Sequence, residues 1–230
     1  KHDITVSPLY TILGDKSYAD GVDIKPDGIY DFVSENNILP KTSAASVEDY
    51  LSLFKTYVEK GMEVIHFNIS SDMSSSHQNA LIAAKEVGNV YVIDTLNLST
   101  GSGLLVLDAA DYRAQGLGAA EIAERVRAHV PLVRASFVID NLEYLRMGGR
   151  CSAVAMLGAN LLKIKPRIEV TNGKMGMGGK YRGMYDKVLL KYTEDMLSCP
   201  DIDTRRVFIT HTKCDEELVK QVREKVCSLI

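Results

Sequence analysis

The chain has 230 residues, 46% of them apolar and 25% charged, which is enough for one large domain or two small ones with real cores. No run approaches the ~18 consecutive apolar residues of a membrane span, and collagen-like or low-complexity composition is excluded. The net charge of -3 conceals an asymmetry: residues 1–133 carry 10 Lys+Arg against 18 Asp+Glu, whereas residues 134–191 carry 11 against 4.

In chain order, Ile4 to Leu13 reads as β-rich, followed by turn signals at Asp20-Gly21 and Pro26-Asp27-Gly28. Helical spacing then begins at Ile29, Phe32 and Val33. Ser46 caps a helix with Glu48 and Asp49 in its first turn and Tyr50, Leu51, Phe54, Tyr57 and Val58 on its apolar face; Gly61 ends it. Val64 to Ile69 is a short strand, Ala80 to Val87 a helix, and Val90 to Ile93 the next strand. Ser99 to Gly103 opens a helix running to Tyr112, and Ala119 to Val130 forms another. Alternating strands and helices imply right-handed crossovers and a parallel sheet.

Beyond Pro131 the pattern changes. Ala135 to Ile139 is a strand, followed by a short helix and a Gly148-Gly149 break. Lys163 to Thr171 and Lys174 to Tyr181 flank Asn172-Gly173, the strongest hairpin signal in the chain. The glycines of Lys174 to Gly179 read as a turn or mobile edge. A helix from Met184 to Leu197, a strand from Arg206 to Thr210 and a last helix from Asp215 complete the reading. Two domains are expected, 1–133 as α/β with a parallel sheet and 134–230 as α+β with an antiparallel component.

Cys151, Cys199, Cys214 and Cys227 lack C-x-x-C spacing and suggest neither a disulfide framework nor a zinc site. A reducing, cytoplasmic setting is expected. The chain begins at Lys1, with no visible signal peptide. The basic segment 134–191 suits a phosphate site or a docking face, and a solvated face explains it as well. It lacks interleaved aromatics and any nucleic-acid motif, so no nucleic-acid partner is expected.

The turns that lead from strands into helices are rich in hydroxyls: Lys41 to Ser46, Ser70 to Ser76, and Asp94 to Gly103. Ligands of parallel sheets gather beyond the carboxyl ends of strands, and helix N-termini with hydroxyls suit a carboxylate or phosphate. Each turn alone is explained by ordinary capping; three together point to one shared anion site.

An enzyme is the competing reading, because serines, His66, His77 and Asp94 fall near strand ends and a triad can be drawn from them. Against it, no G-x-S-x-G elbow, H-E-x-x-H pair, P-loop or Rossmann glycine pattern is present. No cofactor or metal is therefore expected. His77 reads as a surface residue, His66 as a satisfied core histidine, and His211 as a residue that could reach a ligand. A third reading is an interaction module that uses the basic second domain alone.

Several segments resemble the DegV family of fatty-acid-binding proteins, which includes the lipid-carrying subunit of bacterial fatty acid kinase. Thr42-Ser43-Ala44-Ala45-Ser46 resembles the family's T-S-x-P-S, with Ala45 in place of proline. Ile69 to Ala80 resembles I-S-S-G-L-S-G-T-Y-x-S-A, and Val92 to Gly103 resembles V-x-D-S…S-x-G-x-G. The most specific stretch is Leu142 to Arg150 with Leu162 to Pro166, similar to L-x-x-L-x-x-G-G-R-I…L-x-I-K-P.

The resemblance implies two α/β domains with a long-chain fatty acid between them and no catalysis by the chain itself. It implies a carboxylate held by Thr42, Ser43 and Ser74, with Ser75, Ser76 and Ser99 as neighbours. It also implies an ATP-dependent kinase subunit that phosphorylates the carboxylate to an acyl phosphate and docks on Arg182, with Arg150 and Arg146 as further candidates. Met73, Leu96, Leu98, Met156 and Leu161 are candidates to line the slot for the tail. Family chains open with a strand ending in D-S-x-x-D-L and close with one carrying S-S-H-x-G-P-G; both are absent from this sequence, so the first and last strands are expected to be missing. Asp72, Ser75 and His77 replace Gly, Gly and Tyr in the second turn, and an inward Asp72 would repel a carboxylate.

Overall fold

The computed structural model describes residues 2–151 and 164–230. The chain divides into two compact units, one running to Val133 and including Asn172–Lys174, the other formed by the rest from Arg134. Among the described residues, no helix is long and apolar enough to cross a membrane.

The first unit opens with a hairpin rather than a long strand: residues 4–9 are coil, and pairing starts at Tyr10. β1 (Tyr10–Leu13) and β2 (Lys16–Ala19) run antiparallel around Gly14-Asp15, and β3 (Lys41–Ser43) pairs antiparallel with the other edge of β1. Gly14 sits at φ +61, the left-handed backbone that a two-residue hairpin loop needs and glycine adopts without Cβ strain. Between β2 and β3 lies α1 (Pro26–Asn36), with proline in its first turn, where its missing N–H leaves no gap, and a left-handed Asn37 after its end.

α2 (Val47–Val58) begins with a reciprocal cap: Ser46 Oγ accepts from Asp49 N at 3.1 Å, and Asp49 Oδ2 accepts from Ser46 N at 2.7 Å. β4 (Val64–Asn68), α3 (Ser76–Val87), β5 (Val90–Asp94), α4 (Ser99–Ala114) and α5 (Ala119–His129) follow, with a 3-10 turn over Val130–Leu132. β4 and β5 form the expected parallel pair, Val64 opposite Val90 and Asn68 opposite Asp94. The antiparallel β2-β1-β3 sheet adds a second kind of pairing to the same unit.

Neighbouring residues of β5 point to opposite faces, and each face has its own core. Val92 packs with Tyr50, Leu51, Phe54, Ala80 and Ala83 of α2 and α3. Ile93 packs with Leu105, Ala109, Ile122, Ala123 and Val126 of α4 and α5. Helices on both faces are what let this parallel pair carry apolar residues on either side.

In the second unit β6 (Ser136–Val138), β7 (Lys165–Thr171) and β8 (Lys174–Tyr181) form a sheet in that order, with β6 antiparallel to β7. α6 (Glu143–Gly148) ends at Gly149, φ +68. Leu142, Cys151 and Ile168 are buried together, with Phe137, Ile139, Leu145 and Met175 around them. α7 (Tyr185–Leu197) packs against α8 (Glu216–Leu229), which Asp215 caps.

One sequence expectation is corrected here and another narrowed. Arg206 to Thr210 belongs to no strand, because a strand exists through ladder bonds to a neighbour, and the sheet of described strands ends at β6 and β8. Of the two readings of the glycine run after Asn172-Gly173, a turn or an edge, the structure has the edge: it is strand β8, the last in the order β6-β7-β8. A Cβ on Gly178 would stand 2.0 Å from the Glu169 side chain, so glycine there admits the Arg167–Glu169 ion pair at 2.8 Å and the Arg167 bond to the Gly178 carbonyl, also 2.8 Å.

Candidate functional site

The three hydroxyl-rich turns all belong to the first unit, and hydrogen bonds tie them to one another. Ser70 N donates to Asn97 O at 2.9 Å, and Ser71 N donates to Asp94 Oδ1 at 3.2 Å. Thr95 Oγ1 lies 2.8 Å from both Asn68 O and Ser102 Oγ. These bonds join the turn after β4 to the turn after β5. Asn79 Nδ2 donates to Ala45 O at 2.8 Å, joining α3 to the turn after β3.

The site candidates occupy different settings within this frame. Thr42 and Ser43 are exposed on β3, opposite Thr11 and Tyr10. Ser74 is half-buried, and its Oγ lies 2.8 Å from Ser76 Oγ and accepts from Ser76 N at 3.2 Å. Ser75 is exposed and makes no capping bond to α3. Ser76, at 1% exposure, faces inward, so any effect it has on a ligand passes through its partners. Ser99 is exposed at the start of α4, with φ +48, and Leu96 in the same turn has φ +45; such left-handed non-glycine residues cost energy that the surrounding bonds must hold.

Ser70 is fully buried. Its Oγ donates to Gly173 O at 2.7 Å and accepts from Asp72 N at 3.2 Å. Asp72 is exposed and paired with Lys174, Oδ1 to Nζ at 3.6 Å, so the charge that would repel a carboxylate if turned inward is partly compensated.

Beneath the turns lie polar groups that periodicity alone read as core or strand. Tyr50 is 2% and Asn68 4% exposed. Asn68 Nδ2 donates to Tyr50 Oη at 3.1 Å, while its Oδ1 is buried without a partner. Burial pushes the Tyr50 phenol up, so it is protonated at neutral pH. The signal that could have exposed them is chemical: a buried hydroxyl or amide demands partners.

His66 is half-buried beside the core rather than in it, and it is not satisfied: its ring stands edge-on to Tyr50 and Phe54, and Nε2 has no hydrogen-bond partner. Burial pushes its pKa down to about 4. His77 is half-buried rather than on the surface, because α3 starts at Ser76 and turns it inward. Its Nδ1 is buried without a partner, and desolvation lowers its pKa against the opposing pull of Asp94. Neither buried nitrogen meets a serine hydroxyl, so the bond that activates a nucleophilic serine is not formed there.

Of the apolar candidates, Met73 is buried, Leu98 half-buried and Leu96 exposed; Met156 and Leu161, with Leu162 and Lys163 of the motif, lie outside the described residues. In the second unit Arg146 and Arg150 are exposed about the end of α6, and Arg182 is exposed between β8 and α7. His211 lines a cavity of about 480 Å³ with Val207, Ile209, Val219 and Val226.

The family model described as "Uncharacterised protein, DegV family" matches residues 1–228. A DegV domain-containing protein of Clostridium acetobutylicum is 38% identical over 185 residues, covering 80% of this chain and 66% of its own length. Among solved structures, a stearic acid-binding protein from Eubacterium ventriosum superposes with a TM-score of 0.81 at 29% identity, covering 98% of this chain and 82% of that one. A fatty-acid-binding DegV family protein from Thermus thermophilus gives 0.71 at 32% identity, covering 84% and 70%. A match along the length of the sequence, together with a shared fold, has one meaning: this chain belongs to the DegV family.

Proposed function

We propose that this chain binds a long-chain fatty acid non-catalytically, with the carboxylate against the hydroxyl turns of the first unit. The observation that carries the reading is the similarity, along 98% of the chain, to a stearic acid-binding structure at 29% identity. The turns support it chemically. Ser74, Ser75 and Ser99, with Thr42 and Ser43 on β3, offer hydroxyls on backbone tied together by the bonds around Asn68, Ala45 and Asn97. A hydroxyl bond to an ionised carboxylate contributes about 1.5–3 kcal/mol, and each buried methylene of the tail about 0.8 kcal/mol before ordering costs.

The further step of the reading is presentation of the bound acid to an ATP-dependent kinase that forms the acyl phosphate. The exposed Arg182, Arg150 and Arg146, in a segment with a surplus of positive charge, suit an acidic docking face. Native mass spectrometry of the purified protein, followed by extraction, tests the ligand: a fatty acid near one per chain is expected. A ligand-free mass that persists after incubation with saturated and unsaturated acids overturns the assignment. Arg182→Glu is expected to slow acyl phosphate formation by a kinase while leaving lipid uptake intact; loss of bound lipid counts against docking.

A further inference from the structure

Resting on that reading, we infer that Lys174 is a specificity-determining residue: held at the hydroxyl turns by the tip of the β7–β8 hairpin, it masks Asp72 and so lets those turns accept an ionised carboxyl. The turns themselves create the need for a cation. Lys41 to Ser46, Ser70 to Ser76 and Asp94 to Gly103 carry Asp72 and Asp94 against Lys41. The Asp94 carboxylate is held by backbone, accepting from Ser71 N at 3.2 Å and Leu96 N at 2.9 Å. Asp72 is instead turned onto the hairpin tip. Its Oδ1 lies 3.6 Å from Lys174 Nζ, and its Oδ2 would stand 3.1 Å from a Cβ built on Gly173.

The tip that carries Lys174 is firmly seated. Asn172–Lys174 belong to the first unit, although the strands that flank them belong to the second. Asn172 and Gly173 adopt φ +49 and +81, the left-handed pair that closes a two-residue hairpin. Gly173 is buried, and its carbonyl accepts from the fully buried Ser70 Oγ at 2.7 Å. A Cβ there would stand 2.6 Å from that oxygen and 3.1 Å from Leu96, so glycine permits the close approach. Ser70 O accepts in turn from Ser74 N at 3.2 Å. One residue therefore holds both the hairpin tip and the serine offered to the ligand.

Asp72 and Ser74 are two residues apart, at most ~7.6 Å between Cα atoms, inside the Debye length of about 8 Å at physiological salt. An unmasked Asp72 would thus repel a carboxylate at Ser74, whereas a neutral ester of the same chain length would feel no such force. Lys174 offsets that repulsion. Its side chain is 73% exposed, so it acts through charge rather than packing.

The test titrates each variant at neutral pH with stearic acid and with methyl stearate. The wild type is expected to prefer the acid. Lys174→Met should narrow the acid-to-ester preference about threefold with ester affinity unchanged, and the deficit should shrink at high salt. Lys174→Arg, which keeps the charge, should retain the preference. Asp72→Asn should widen it, and Asp72→Asn/Lys174→Met should return it to about the wild-type value, since Lys174 acts by masking Asp72. Both side chains are exposed, so these variants keep the fold. A wild type indifferent to the carboxyl, a Lys174→Met preference equal to the wild type's, a fall in both lipids together, or a double variant as poor as Lys174→Met overturns the inference alone. A wild type that takes up neither lipid overturns the fatty-acid reading and the inference with it.

Discussion

The two units spend their buried volume differently. The first surrounds a parallel strand pair with apolar clusters on both faces and threads buried polar groups between the turns at one end: Ser70, Asn68, Ser76, Thr95 and Asn97. The second, among its described residues, packs a smaller cluster around Ile168 on a sheet with an antiparallel β6–β7 pair and carries Arg150 and Arg182 on exposed connections. A closed apolar core with polar groups fixed at its rim is rigid enough to orient a hydroxyl. Exposed arginines on short connections suit recognition by charge, which tolerates looser geometry and weakens as salt rises.

The largest effect expected from breaking this contrast is in the first unit's core. Phe54 is fully buried between α2, α3 and the strands, and Phe54→Ala should cost about 3–5 kcal/mol, read as a lower denaturant midpoint. Loss of less than 1 kcal/mol would mean that this cluster does not hold the unit together.

Acid sharpens the same contrast. The folded chain holds His66 at a pKa of about 4, down from 6.5. Between those values the unfolded chain binds a proton that the folded chain refuses, so stability falls as pH drops through that window and is fully present above it. The contribution is up to about 3 kcal/mol. His66→Phe, which keeps a ring against Tyr50 and Phe54, should flatten the decline between pH 6.5 and 4.5 when unfolding free energies are compared. An unchanged slope would place the acid sensitivity elsewhere.

Gly173 tests the turn itself. It sits at φ +81, and an added Cβ would stand 2.6 Å from Ser70 Oγ. Gly173→Ala should cost about 2 kcal/mol from left-handed strain and displacement of Ser70. The smallest effect is at the cap: Ser46→Ala removes one half of the reciprocal bond with Asp49 and should cost about 1 kcal/mol. Thermal midpoints order the two, and a Ser46→Ala loss exceeding that of Gly173→Ala would reverse their expected ranking.

Much of the fold was legible in the chain because its signals are local. The Ser46 cap and the glycine after Asn172 each act within a few residues, and they mark elements where the structure has them, whereas Pro26-Asp27-Gly28, read as a turn, opens α1 instead. The hydroxyl turns were legible as a group for the same reason. The setting of each hydroxyl was not. Nothing within four residues of Ser76 says that it is buried, or that Ser70 bonds a carbonyl 103 residues away. Asn68 looked like one more strand residue, and the Arg206 to Thr210 segment looked like a strand because its apolar pattern could not reveal whether a neighbour would pair with it.

Caps, turns and hydrophobic periods are written in residues that touch along the backbone, and so they set the order of helices and strands from the sequence. Whether a given serine faces a ligand, a tyrosine or solvent depends on which distant groups arrive beside it. Burial then sets a cost that no neighbouring stretch of sequence states: once water is excluded, an unmatched polar group is expensive, so most take the partners that folding has brought to them.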